Sequence, residues 1–223
     1  SSQLFEFNPS WSRSNFKLKD NQTYESGWLT SGTYYVDELN TSGWELSDLS
    51  CDDSNSGVDP SDHSQAKINL EAGETVHCTF TNTKLGSITI KKETLPNHSL
   101  DIFNYTGTLG THTLFDGDTD RYSNLNPGVY TFTESSKDNW YLKNLVCDSG
   151  LTSIENRTAT INLTPGQNVT CTFTNAKYGQ ISGIKFNDKD GDNRKDLIEP
   201  TLKDWQIFID SNNNQQLDVG ETS

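Results

Sequence analysis

Two stretches decide the fold: KINLEAGETVHCTFTNTKLG at 67–86 and TINLTPGQNVTCTFTNAKYG at 160–179. Working outward, GTYYVDE at 32–38 matches GVYTFTE at 128–134. Each is followed by a tryptophan, Trp44 or Trp140, and then by a cysteine closing a short apolar run, DLSC at 48–51 or NLVC at 144–147. The offset of roughly 95 residues is the size of one small β-sandwich. Apolar and polar residues alternate with period two between Gly, Asn, Asp and Pro turns, and no segment carries a helical period. The expected class is all-β: small immunoglobulin-like sandwiches in a row.

Composition agrees. Only 31% of the 223 residues are hydrophobic, which suits small sandwiches whose strands expose one face. The net charge of −14 repels nucleic acid and anionic lipid and favours cations. No apolar run reaches membrane-spanning length and no signal peptide is visible, so no membrane insertion is expected in this segment.

Alternation sorts residues by face. Tyr130, Phe132 and Glu134 share one side of their strand, as do Cys171, Phe173 and Asn175, and Leu145 with Cys147. The simplest pairing of the cysteines is Cys51 with Cys78 and Cys147 with Cys171, on strands at opposite ends of each repeat. A loop of about 25 residues closed in this way is stabilised by about 3 kcal/mol. Four buried free thiols are the alternative. Two aligned pairs in a polar chain without Met favour disulfides and an oxidising, extracellular setting.

The TFTN-x-K-x-G element marks the boundaries: repeat one at 1–84, repeat two at 85–177 and a third unit at 178–223. Repeat two opens with GSITIKKE at 86–93. Repeat one has no counterpart, because FEFNPSW at 5–11 aligns with DIFNYTG at 101–107. Its first strand is therefore expected to come from a longer polypeptide or from another chain.

The set GSITIKK, GVYTFTE and CTFTNAK resembles the prealbumin-like repeats of surface proteins, relatives of the collagen-adhesin B-type domains of pilins and adhesin stalks. That resemblance implies a spontaneous Lys–Asn isopeptide bond promoted by a Glu, at Lys92, Asn175 and Glu134. Alternation places all three toward one core, where burial favours a neutral amine and a protonated acid. A buried ion pair capped by an amide is the alternative. Repeat one keeps Glu38 and Asn82 but has no lysine strand.

The third unit carries DKDGDNRKDLIE at 188–199 and DSNNNQQLDVGE at 210–221. Side-chain oxygens fall at positions 1, 3, 5, 9 and 12 of a twelve-residue loop: Asp188, Asp190, Asp192, Asp196 and Glu199, then Asp210, Asn212, Asn214, Asp218 and Glu221. Arg194 and Gln216 stand at position 7, where a backbone carbonyl completes the set. This is the EF-hand spacing, and hard oxygens in that number suit Ca²⁺. Asn193 and Gln215 occupy position 6, where glycine is usual, and the second loop, with less charge, is expected to bind more weakly. The flanking GQISGIKF and WQIFI read as strands, an arrangement similar to the calcium-binding B repeats of serine-aspartate adhesins. In that family calcium stiffens a stalk.

Sequons stand at Asn21, Asn40, Asn97, Asn104, Asn156, Asn162 and Asn168. Trp11 and Trp28 lack repeat counterparts and are candidate platforms for a glycan or protein ligand. The four histidines have no metal spacing, and no nucleophile–base constellation is visible, so no enzymatic activity is expected. The sequence thus points to a structural segment of a cell-surface stalk, fibre or pilus-like filament, partnered by copies of itself or by further repeats, with strand exchange between subunits as one way of completing it. An adhesin binding module recognising glycan or protein ligands is the alternative.

Overall fold

The computed structural model describes residues 2–149 and 152–222, and among these it contains strands but no helix, hence no helix able to cross a membrane. The chain divides into two compact units, Ser1–Tyr178 and Gly179–Ser223.

The first unit holds both repeats. In repeat one, β1 (Phe5–Pro9), β2 (Phe16–Leu18), β3 (Gly32–Glu38), β4 (Trp44–Cys51), β5 (Gly57–Asp59), β6 (Asp62–Leu70) and β7 (Cys78–Lys84) form two sheets. One has the order β2-β1-β3-β6-β5; the other is the antiparallel pair β4-β7. Repeat two contains β8 (Gly86–Leu95), β9 (Phe103–Gly107), β10 (Gly110–Leu114), β11 (Thr119–Leu125), β12 (Gly128–Glu134), β13 (Trp140–Cys147), β14 (Thr152–Glu155), β15 (Thr158–Leu163) and β16 (Asn168–Lys177). Its sheets run β10-β9-β12-β15-β14 and β11-β8-β16-β13. The pairs β4-β7 and β13-β16 are equivalent. In repeat two that pair is extended by β8, laid parallel to β16, and by β11.

Strand alternation fills the cores. Ile88, Ile90, Phe132, Ile161, Leu163 and Phe173 are fully buried in repeat two. Repeat one has a smaller core of Phe5, Phe7, Val36, Leu49 and Ala66. The repeats join through Leu85 alone, whose N–H donates to Gly43 O at 2.9 Å, while Gly166 N–H donates to Lys84 O at 2.9 Å. Gly86 opens β8 where a Cβ would lie 2.5 Å from Gln167 O, so the backbones can approach only without a side chain.

Both expected disulfides are formed. They do not link distant ends of a repeat. Cys51 faces Cys78 across β4-β7, and Cys147 faces Cys171 across β13-β16, so each bridge staples neighbours within one sheet.

The register corrects one alignment. Phe7 pairs with Glu38, and Tyr105 pairs with Glu134. Phe5 therefore stands where Phe103 does and Phe7 where Tyr105 does, two residues from the alignment suggested by the shared Phe-Asn dipeptide. Ring contacts agree: Phe5–Trp44 and Phe103–Trp140 are both edge-on, as are Phe7–Phe80 and Tyr105–Phe173.

On the same register Phe16 stacks on Phe7 where His112 stacks on Tyr105. Both ring nitrogens of His112 are buried without a partner, and burial pushes its pKa down from 6.5. A depressed histidine contributes stability above the unfolded value that is lost as pH falls. His112→Phe should raise repeat-two stability in denaturant melts by about 1 kcal/mol at pH 7. The gain should widen below pH 6.5, where the wild-type ring is driven to protonate.

Candidate functional site

Lys92 comes from β8, Glu134 from the end of β12 and Asn175 from β16, and alternation turns each inward. All three are at most 1% exposed. The Lys92 Nζ donates to Asn175 Oδ1 at 2.6 Å, to Phe173 O at 3.2 Å and to Glu93 O at 3.0 Å. It lies 3.3 Å from Glu134 Oε1 and over the Phe103 ring at 4.1 Å. Glu134 is heavily ligated. Its Oε2 accepts from Asn175 Nδ2 at 2.9 Å and Arg157 Nη1 at 3.1 Å, and its Oε1 accepts from Tyr105 Oη at 3.1 Å. Burial pushes the Lys92 pKa down against the opposing pull of Glu134, and burial beside Glu134 pushes the Tyr105 hydroxyl up. The cluster thus presents an amine of lowered proton affinity to a carboxamide held at both ends, with a carboxyl group in contact with both reactants.

Repeat one keeps the frame and loses the donors. Phe7 replaces Tyr105, and the register of β3 with β6 puts Ser64 at the place of Arg157. No strand occupies the place of β8 beside β7 among the described residues. Glu38 is 8% exposed, its Oε2 is buried without a partner, and burial raises its pKa against a hydrogen bond from Asn82. Sequence reading paired Glu38 with Asn82 but missed this orphaned oxygen. The signal was available in the Tyr-to-Phe and Arg-to-Ser differences once the register is known.

In the second unit the expected strands at 179–186 and 205–209 are absent. A single bridge, Phe186↔Thr201, remains, and Ile181, Ile184, Trp205, Ile207 and Ile209 are exposed. Alternation makes a strand only where a neighbour takes up successive backbone groups, and these segments have only isolated bonds, Leu202 N–H to Lys185 O and Ile209 N–H to Thr222 O, both at 2.9 Å.

The two acidic loops nevertheless repeat one hydrogen-bonding plan. Position 1 accepts from the backbone of position 6: Asn193 N to Asp188 Oδ2 at 2.9 Å, and Gln215 N to Asp210 Oδ2 at 2.7 Å. Position 12 accepts from positions 2 and 9: Lys189 N and Asp196 N to Glu199 at 2.6 and 3.0 Å, and Ser211 N and Asp218 N to Glu221 at 2.8 and 3.0 Å. Position 6 is left-handed in both, with φ of 63° at Asn193 and at Gln215. The loop demands that conformation, and glutamine adopts it less readily than asparagine. Backbone hydrogen bonds hold the Asp188 carboxyl below its usual range. Oxygens of Asp188, Asp190 and Asp192 lie within 4.8 Å of one another. Ligands at 2.3–2.6 Å from one Ca²⁺ lie at most about 5 Å apart, so this all-oxygen set fits that ion. In the second loop the Asn212 and Asn214 amides both donate to Asp218 Oδ2 at 2.7 Å.

All seven sequon asparagines are exposed. Trp28 is fully exposed, whereas Trp11 packs edge-on against Tyr34 at 6.0 Å and is only partly accessible.

A family model described as a prealbumin-like fold domain matches residues 11–84 and again 88–177. No curated protein matches the chain. Among solved structures, a *Mobiluncus mulieris* adhesin containing intramolecular disulfide, isopeptide and ester cross-links is 13% identical over 66% of this chain, with a TM-score of 0.35. This chain spans 58% and 62% of that adhesin's length in its two crystal forms. A major pilin of *Streptococcus pyogenes*, as an N168A mutant, is 17% identical over 78% of this chain and 90% of its own, with a TM-score of 0.35. The *Bacillus anthracis* TIE protein is 18% identical over 89% of this chain and 37% of its own, with a TM-score of 0.30.

The orphaned oxygen makes repeat one acid-favoured. A carboxyl with a raised folded pKa contributes stability that is present at low pH and lost as pH rises through that pKa. Glu38→Gln should therefore stabilise repeat one by about 1 kcal/mol at pH 7. Denaturant melts at successively lower pH should show the gain vanish below the ordinary value of 4.5.

Proposed function

The chain belongs to the family of prealbumin-like fold domains, and from that premise we propose that it is a structural segment of an extracellular surface stalk or pilus-like fibre. The observation that carries this reading is the buried Lys92–Asn175–Glu134 cluster, which ties the first strand of repeat two to its last. Tension applied at the two ends of the repeat converges on that tie.

We infer that the tie becomes covalent. Lys92 passes a proton to Glu134, and the free amine attacks Asn175 Cγ. The new C–N bond forms as the bond to Nδ2 breaks; Glu134 relays its proton and a second one from the attacking nitrogen to Nδ2, which leaves as ammonium while Glu134 ends as the carboxylate. No oxidant is needed, and the reactants are already held in contact, which removes most of the entropic barrier. Sheet neighbours then carry two kinds of link, the disulfides and the isopeptide. The acidic loops bind Ca²⁺, the first more tightly than the second. Seven exposed sequons, the disulfides and the charge of −14 fit an extracellular surface.

Intact mass tests the covalent step. The reduced chain should weigh one ammonia less than its sequence, and Glu134→Gln should restore the full mass while keeping both disulfides. A full mass in the wild type would reduce the cluster to an ion pair. Calcium titration should show two sites of unequal affinity in the second unit. Asp190→Asn should weaken the tighter one by about tenfold, the order expected for the loss of one charged ligand.

A further inference from the structure

Glu134 receives two cations. Lys92 Nζ lies 3.3 Å from its Oε1, and Arg157 Nη1 lies 3.1 Å from its Oε2. The Lys92 and Glu134 side chains are fully buried, while that of Arg157 is 28% exposed. The Tyr105 hydroxyl also donates to Oε1 but adds no charge, since burial beside Glu134 pushes its pKa up. Asn175 Nδ2, the group that leaves, donates to the same oxygen as Arg157, at 2.9 Å. Arg157 sits in the two-residue turn between β14 and β15, after the left-handed Asn156. Its backbone carbonyl accepts from Glu134 N–H at 2.9 Å, so main chain and side chain both engage one residue. The sandwich frame does not require this cation. Ser64 stands at its place in repeat one, whose β3–β6 pairing and disulfide form without it.

The cross-linking step changes the charge of this cluster. Lys92 enters with three protons. One stays on the new amide nitrogen, and Glu134 relays two to Nδ2, which leaves as ammonium. The positive charge that Lys92 brought departs with it, and Glu134 is left as a buried carboxylate. Before the step two cations face one anion; after it, Arg157 alone faces Glu134. A site shielded from water is destabilised by surplus charge and by an unpaired ion alike. With Arg157 present, the step relieves a surplus. Without it, the step would turn a balanced pair into a lone buried anion.

We propose that Arg157 is a positioning residue for amide formation: acting through Glu134, it takes over from Lys92 as counter-ion of the carboxylate and so favours expulsion of ammonium. The proposal rests on the covalent reading of the cluster, to which it adds what drives the step. The remaining charged neighbour acts on Lys92. Burial holds the Lys92 pKa down, Glu134 and Asp116 pull it up, and Arg157 pushes it down. Asp116 acts from the turn between β10 and β11, where its oxygens accept from Thr94 and His98 N–H. His112, on β10, stacks on the Tyr105 ring.

The test starts from full chain recovered unfolded, and so not yet cross-linked, from inclusion bodies. Intact mass is followed with time as it refolds with its disulfides. Arg157→Gln keeps a hydrogen-bond donor but not the charge. It should slow the loss of ammonia about tenfold, the difference between a charge-assisted and a neutral hydrogen bond. Arg157→Lys should restore the wild-type rate. A residue that only fastens Glu134 in place would tolerate the glutamine. Arg157→His carries the charge at about pH 5.5 and has lost it at about pH 8. Within one fold, its rate relative to wild type should therefore fall about tenfold over that range. Equal rates for the wild type and a folded Arg157→Gln chain overturn the proposal and leave the cross-link standing. So does an Arg157→His rate whose ratio to wild type ignores pH, or an Arg157→Lys chain as slow as Arg157→Gln. Full mass in the refolded wild type removes the cross-link itself, and this role with it.

Discussion

The parallel pairing of β8 with β16 is the constraint on which repeat two depends. It joins the first strand of the repeat to its last, from Asn168↔Ser87 to Ala176↔Leu95, so closing the sheet closes the fold. Every inward residue of β8 is buried, and the lysine among them reaches its partners only because the register places it beside Phe173. Pairing of such distant segments costs loop-closure entropy that local contacts do not repay. The cross-strand disulfide is then well placed. It fixes β16 to β13 independently of β8 and offers a prepared edge for the first strand to join.

Repeat one shows the same sequence elements without that pairing. Its disulfide still forms and its edge-on aromatic contacts persist, so β3, β4, β6 and β7 hold their places on local pairing and core contacts. What changes is solvation. The Cys-x-Phe-x-Asn face is dry in repeat two and partly wet in repeat one. Glu38 keeps its place while its counterpart's tyrosine, arginine and lysine partners are gone. A carboxyl group deprived of all three would be expected to drift toward solvent or be replaced by an apolar residue. The buried position of Glu38 leaves one carboxyl oxygen without a partner, a cost in stability that Glu134 does not carry.

Much of this was legible from the sequence because the repeats repeat. Two aligned cysteine pairs located the disulfides, and alternation alone turned Lys92, Glu134 and Asn175 into one core. The strand offset of FEFNP was not legible. A shared Phe-Asn dipeptide favoured one alignment, while register is set by pairing with β3, and a two-residue slip keeps the same residues facing inward. The strands expected at 179–186 and 205–209 failed for a related reason. Their alternation is real, but a strand is a paired object, and the partner is not written in the segment itself. The two acidic loops were the converse case: their hydrogen-bonding geometry is local, carried by side-chain caps on neighbouring backbone groups, so spacing alone predicted that they share one plan.

The topology also fixes how load travels. Pulling on the chain ends of repeat two draws β8 toward its N-terminus and β16 toward its C-terminus. Because the two strands are parallel, this shears all their hydrogen bonds at once rather than opening them one by one. A bond between Lys92 and Asn175 would sit near the far end of that pair, where β8 has passed through the core and β16 is about to leave it. Force entering at Gly86 would cross to β16 at Lys92 and leave at Lys177, bypassing every strand between them. The single residue joining Lys84 to Gly86, Leu85, donates its N–H to Gly43 O while Gly166 donates to the preceding Lys84 O, so the joint passes that force on with little slack.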